Sequence, residues 1–283
     1  MKVLVFGQSG QVGRELQALA SRAEIESLNR ARADFTDLGA CAAHVATTDA
    51  NAIIIAAAYT AVDQAESDEA TAQVVNADTP GAIAQAAAKR NLPVVYISTD
   101  YVFDGRGETP FSTDHPVAPL GAYGRTKEAG EFQVRNAAGP HAIVRTSWVF
   151  SSHGNNFVKT MLRLGAERDT LNIVADQVGG PTAASDIANA CLNIAGQLIE
   201  APEKSGTYHF SGGPDLSWAD FARAIFDRAG LPCHVNNIPA SEYPTPAARP
   251  LNSRLDNTTT QSTFGITRPD WGPALDAVIQ ARD

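Results

Sequence analysis

Tyr123 and Lys127 stand four residues apart in Tyr123-Gly124-Arg125-Thr126-Lys127, a spacing that puts a phenol and an ammonium on one face of a helix. A free tyrosine, with a pKa near ~10, exchanges protons poorly at neutrality, and a neighbouring cation stabilises its phenolate. The pair therefore suits protonation of an incipient alkoxide, which is what carbonyl reduction requires. Ser98-Thr99-Asp100 closes an apolar run and offers hydroxyls at a strand end, where ligands of parallel sheets bind. Thr99 would hydrogen-bond a carbonyl oxygen or the tyrosine; the same residue types also serve as simple strand-end caps.

A third group is Gly7-Gln8-Ser9-Gly10-Gln11-Val12-Gly13, spaced GxxGxxG between an apolar run and an amphipathic stretch. Backbone N–H groups at such a helix start point outward, and the helix dipole adds partial positive charge. Missing Cβ atoms let a pyrophosphate come close. A dinucleotide is the expected occupant. The place where a carboxylate usually holds the ribose 2′-OH of NAD reads Leu28-Asn29-Arg30-Ala31-Arg32, with no acid. Asn29 with Arg30 or Arg32 suits a 2′-phosphate, which favours NADPH over NADH, unless these arginines are only solvated surface. Asp34 then falls on the adenine side.

The elements that must position these groups alternate. Residues 3–6, 25–28, 52–58 and 93–98 read as buried strands, and 11–20, 38–47 and 73–90 as helices, the last disturbed at Pro80. This is the βαβαβ order of a parallel sheet. Residues 99–120 carry Gly105, Gly107, Pro110, Pro116 and Pro119 with little periodicity and read as a long loop. A helix over 122–137 and a strand over 142–150 follow, then a loop over 151–156. The remainder mixes helices at 157–168, 186–199 and 217–229 with short strands near Tyr208 and Val235 and a proline-rich segment. The expected fold is α/β, with a dinucleotide-binding domain over 1–150 and a smaller substrate lobe over 151–283. Its boundary is soft and its segments interleaved.

The 283 residues, 44% hydrophobic and 19% charged, suffice for a full core and exclude fibrous or extensively disordered classes. A formal charge of −9 supplies no basic footprint for a nucleic-acid backbone or an anionic membrane. Cys41, Cys191 and Cys233 fit neither a disulfide framework nor a metal ladder. They read as buried thiols of a reducing compartment, and with neither a signal-peptide core nor a membrane-spanning run a cytoplasmic protein is expected.

These segments together resemble the extended short-chain dehydrogenase/reductase superfamily, through residues 7–13, Ala56-Ala57-Ala58, 98–105 and 123–127. Within it the chain is most similar to the dTDP-4-dehydrorhamnose reductase family, over nearly its whole length. The further matches lie at 60–66, 145–150, 154–157 and the rather specific 243–255. The resemblance implies a Rossmann-type doubly wound sheet and reduction of the C4 ketone of a dTDP-4-keto-6-deoxy-L-sugar to dTDP-L-rhamnose by NADPH. It implies that Tyr123 donates the proton, that Lys127 binds the nicotinamide ribose and lowers the tyrosine pKa, and that Thr99 polarises the ketone. It implies dinucleotide contacts from Gly10, Gln11, Val12, Asp34, Phe35, Ala57, Ala58, Tyr59 and Thr60, and sugar-nucleotide contacts from Thr99, Asp100 and Trp148. Two departures count against tight NADH use and against the magnesium-bridged dimer of some members: Asn29 replaces an acid, and Ser185 replaces a glutamate that would join Glu15. A monomer or a homodimer is expected. The alternatives are a sugar-nucleotide epimerase or dehydratase of the same superfamily and a non-catalytic NADP-binding module. Tyr101 after Asp100 argues against a dehydratase, and the intact Thr99, Tyr123 and Lys127 argue against the module.

Overall fold

A computed structural model of the chain describes residues 1–281. The N-terminal part runs β1 (Lys2–Phe6), α1 (Gln11–Ala18), β2 (Glu24–Leu28), α2 (Leu38–Thr47) and β3 (Ala52–Ile55). After β3 come α3 (Val62–Ala65), α4 (Glu69–Gln73), α5 (Thr79–Ala88), β4 (Val94–Thr99), α6 (Ala122–Asn136) and β5 (His141–Thr146). Short apolar runs form these strands because both faces of a parallel sheet are covered. Successive residues therefore enter opposite cores. Val3, Val5 and Ile54 pack with α1 on one side, and Leu4, Phe6, Ile53 and Ile55 pack with α2 and α5 on the other. Each such buried side chain contributes about 1.5–3 kcal/mol.

Pro80 does not break its helix. A π-helical turn over Val74–Asp78 joins α4 to α5, and Pro80 falls in the first turn of α5, where its missing N–H is tolerated. The strand expected over 142–150 is in fact two: β5 stops at Thr146, and β6 (Val149–Phe150) resumes beyond Trp148, whose φ of 49° is left-handed.

The second half continues with α7 (Phe157–Glu167), β7 (Thr170–Val174), β8 (Val178–Gly179), β9 (Thr182–Ala183) and α8 (Ala184–Glu200). It ends with β10 (Gly206–His209), β11 (Leu216–Ser217), α9 (Trp218–Ala229), β12 (His234–Ile238), β13 (Asn252–Ser253), α10 (Thr258–Phe264) and α11 (Trp271–Gln280). The large sheet has the order β10-β5-β4-β3-β1-β2, all parallel. It therefore reaches past residue 150: β10 is its edge strand, and α8 covers the same face as α1 through Ile187, Cys191 and Ile194. α7, β7, α9, β12 and α11 pack a separate core around Phe221, Phe226, Met161, Leu162 and Trp271, while Phe264 of α10 joins the core of the large sheet. All three cysteines are buried and free, and among the described residues no helix is long and apolar enough to cross a membrane.

His209, at the end of β10, is fully buried. Its Nδ1 lies 3.1 Å from the Phe111 carbonyl, and its Nε2 has no partner among the described residues. Burial, helped by the charge of Arg145, pushes this imidazole from 6.5 down to about 3. Between those values the unfolded chain takes up a proton that the folded chain refuses, so stability falls as pH drops through this window. His209→Phe keeps an apolar ring against Phe103 and should flatten that slope, read as urea midpoints across the same pH range.

Candidate active site

Strand order reverses between β1 and β3, since β2 lies on one side of β1 and β3 to β5 on the other, and a crevice opens there at the carboxyl ends of the strands. Its volume is about 730 Å³. Gly7 turns out of β1 with φ 109°, and a Cβ there would come within 2.5 Å of the Ala57 backbone nitrogen. Glycine is thus required where the ends of β1 and β3 meet. Gly10 is the N-cap of α1 and no side chain caps that helix, so its first N–H groups remain open to an anion. Gly7, Gly10, Gln11 and Val12 all line the crevice.

Gly13 does not. A Cβ on it would sit 2.0 Å from the Gly7 carbonyl oxygen, so its service is to let α1 pack against the turn. Gln11 lines the wall but points its side-chain oxygen across the crevice, accepting hydrogen bonds from Ser151 and Asn156, both 3.0 Å. That latch lays the 151–156 loop along the glycine turn, so Gly154 and Asn155 join the lining.

Further along, Asn29, Arg30, Asp34 and Phe35 line the adjoining wall. Arg30 is largely exposed and reaches Asp34 at 3.3 Å, whereas Arg32 turns away to Glu26 at 3.1 Å and leaves the crevice. Hydrogen bonds from the Thr36 backbone and hydroxyl, with Arg30 beside them, hold the Asp34 carboxyl below its usual range. Ala57, Ala58, Tyr59 and Thr60 follow β3 into the same crevice. They are fixed by Asn76, a buried residue of the π-helical turn. Its side chain accepts from the Tyr59 N–H at 2.8 Å and donates to the Tyr59 carbonyl at 3.2 Å and the Thr126 hydroxyl at 3.1 Å.

Thr99, Asp100, Tyr123, Lys127 and Trp148 converge where β4, α6 and the end of β5 meet, and all line the crevice. α6 starts at Gly121 with Glu66 accepting from the Ala122 N–H at 2.8 Å. This places Tyr123 in the first turn and Lys127 one turn deeper, 1% exposed. Lys127 donates to the Ile97 carbonyl at 2.7 Å and lies 3.9 Å over the Tyr96 ring. Burial pulls its pKa down to about 7, against the charge of Glu131. Burial pushes the Tyr123 phenol up to about 12, opposed by the nearby Thr99 hydroxyl. The phenol is therefore protonated at neutrality, the state of a proton donor, and its nearest influences are Thr99 and Asp100 rather than Lys127.

Thr99 donates to Asp100 Oδ1 at 3.1 Å and accepts from the Tyr101 N–H at 3.2 Å. Asp100 is 3% exposed, and burial lifts its carboxyl to about 6. Its Oδ2 and the Thr146 hydroxyl, both beside the crevice, have no partner among the described residues. Ser98 donates to Glu131 at 2.6 Å and so serves the interior. Glu131 itself, which sequence reasoning missed, grips Arg145 through two hydrogen bonds of 2.8 and 2.7 Å.

Trp148 holds its left-handed backbone at a cost of about 1–3 kcal/mol for so bulky a residue. A face-to-face stack on Trp218 and a 3.2 Å hydrogen bond from the Thr182 N–H to its carbonyl keep it there.

A dinucleotide fits these residues: a glycine turn with open N–H groups lies at one end, and Tyr123 with Lys127 lies at the other. Glu15 lies 3.6 Å from His153, and Ser185 offers no carboxylate beside it.

Compared with known proteins, residues 1–283 match the family described as RmlD substrate binding domain. A dTDP-4-dehydrorhamnose reductase of Sinorhizobium fredii is 45% identical, over 99% of this chain and 97% of that protein. The crystal structure of a dTDP-4-dehydrorhamnose reductase from Clostridium acetobutylicum superposes with a TM-score of 0.92 at 37% identity, covering 99% of both chains. One from Bacillus anthracis in complex with NADP gives 0.91 at 35% identity, covering 99% of this chain and 98% of that one.

Proposed function

The chain belongs to the RmlD substrate binding domain family, and from that membership we propose how its own residues divide the work of the reaction. The chain reduces the C4 ketone of dTDP-4-dehydrorhamnose with NADPH, as its named relatives and the NADP complex among its structural neighbours support. Bound NADPH supplies the hydride to the carbonyl carbon. Tyr123 hands its phenolic proton to the oxygen that becomes the alcohol. Thr99, whose hydroxyl acts on that phenol, orients it and polarises the ketone. Lys127, fixed by the Ile97 carbonyl, reaches the nicotinamide ribose and supports the phenolate left behind.

The open N–H groups at Gly10 and the close approach at Gly7 receive the pyrophosphate. Ala57, Ala58, Tyr59 and Thr60 flank the dinucleotide, and Phe35 and Asp34 take the adenine side. Asp100 and Trp148 face the sugar nucleotide. The reading rests above all on one observation: the glycine turn and the Thr99, Tyr123, Lys127 group open into a single crevice. It is tested by NADPH oxidation with the ketosugar generated in place, beside NADH. No oxidation by a folded protein that still binds NADPH would sink it.

Arg30, lining the crevice beside Asn29, is the residue proposed to meet the 2′-phosphate, and Arg32, held by Glu26, is not. Arg30→Ala should raise the KM for NADPH about tenfold, the scale of one charge-assisted hydrogen bond, and leave that for NADH unchanged. Arg32→Ala should move neither. The reverse result would transfer the role to Arg32.

A further inference from the structure

Trp148 is held by more than its own backbone. Its indole lies parallel to that of Trp218, ring centroids 3.4 Å apart and planes 8° from parallel. Free aromatic pairs prefer an offset or edge-on arrangement, so this eclipsed stack is imposed by the backbones on either side. Trp218 opens α9, immediately after β11, and β11 pairs antiparallel with β8. β8 supplies Gly179, where a Cβ would come within 2.9 Å of the Trp148 ring edge. One small strand pair thus builds a socket, with Trp218 against the face of the indole and Gly179 against its edge. Phe157 also packs against Trp218, ring centroids 4.5 Å apart and planes tilted by 46°. Trp218 does not line the crevice, whereas Trp148 does.

A bulky residue in the left-handed region would fall back to ordinary backbone angles, taking its ring with it, unless its surroundings over-determine the strained form. We propose that Trp218 is a positioning residue for sugar-nucleotide recognition, holding the Trp148 indole in the orientation that walls the substrate side of the crevice. This rests on the reading that Trp148 contacts the sugar nucleotide. It assigns substrate affinity to a residue of the second core that does not line the crevice.

The test compares Trp148→Phe, Trp218→Leu and Trp218→Phe in steady-state kinetics, with circular dichroism of the indole bands. Trp218→Leu should raise the KM for the sugar nucleotide about fivefold, the scale of one lost aromatic pair, with the KM for NADPH unchanged and kcat little altered. Trp218→Phe keeps a ring to stack on and should recover most of the loss. Two indoles this close couple their transitions, so the wild-type protein should show an exciton couplet. Both Trp218 variants should lose it, and dTDP-L-rhamnose should perturb it while NADP does not. If Trp148→Phe leaves the sugar-nucleotide KM unchanged, the underlying reading of Trp148 fails. If it raises that KM and Trp218→Leu does not, or if Trp218→Leu raises both KM values alike, the positioning role fails. Should Trp218→Leu not fold, the wild-type spectrum decides: indole-band dichroism indifferent to dTDP-L-rhamnose overturns the proposal.

Discussion

Tyr123→Phe is expected to lower turnover of the ketosugar by about 10²–10⁴-fold, the range for removing a general acid, while NADPH still binds. Only the hydroxyl is lost. The ring keeps its edge-on contact with Tyr101, with centroids 5.5 Å apart, and its place in the first turn of α6, so the crevice survives. Burial pushes the phenol up to about 12, which keeps it protonated at neutrality, the state the proposed donor needs, and the proton it gives must be restored in each turnover. Lys127 titrates near neutrality for the same reason with the opposite sign, since burial disfavours its cation. The check is NADPH oxidation beside NADPH binding followed by fluorescence. Loss of binding together with turnover would mean that Tyr123 builds the cofactor site and that another group gives the proton.

The second large effect is on stability. Glu131 is fully buried and Arg145 is 3% exposed, and their two hydrogen bonds are joined by one from Ser98 and a longer one, 3.3 Å, from Arg135 at the surface. Burial alone would raise the Glu131 carboxyl, and Arg145 and Ser98 overcome it, so the acid is held below its usual range. Glu131→Gln leaves a guanidinium buried without its counter-charge and should cost about 3–5 kcal/mol, seen as a lower urea midpoint at an unchanged slope. Combining it with Arg145→Met removes the stranded charge as well, and much of the loss should return. A double variant no more stable than the single one would show that the pair shapes the core in some way other than charge balance.

What could be read from the sequence was local. The glycine turn was legible because strand, turn and helix follow one another directly, and Tyr123 and Lys127 because four residues make one helical turn. Asn76 was not, because its value lies in bonds to Tyr59 and Thr126, 17 and 50 residues away. Glu131 looked like one charge on a helix until β5 brought Arg145 against it. Arg30 and Arg32 differ only in which way each side chain leaves the end of β2, something composition does not carry. The break at Trp148 ran against local preference, since a large aromatic residue is among the least suited to a left-handed backbone. The family resemblance named Trp148 for its role, yet only the stack on Trp218 accounts for its conformation. Gly13 belonged to the same motif as Gly7 and Gly10 but serves packing alone.

The return of α8 and β10 to the large sheet also bears on how the chain is made. Synthesis proceeds from the N-terminus, and a growing chain folds as its segments emerge. When β5 leaves the ribosome, the strand that will cover its outer edge does not yet exist, nor does the helix that will cover Ile54 and Val144. Until residue 209 has left the ribosome, the nascent sheet presents an unpaired edge and a bare apolar face, the two features that invite pairing with a neighbouring chain. The period of greatest hazard for this protein is therefore on the ribosome. A translational stall that keeps β10 inside the ribosome prolongs it, and one after β10 has emerged does not.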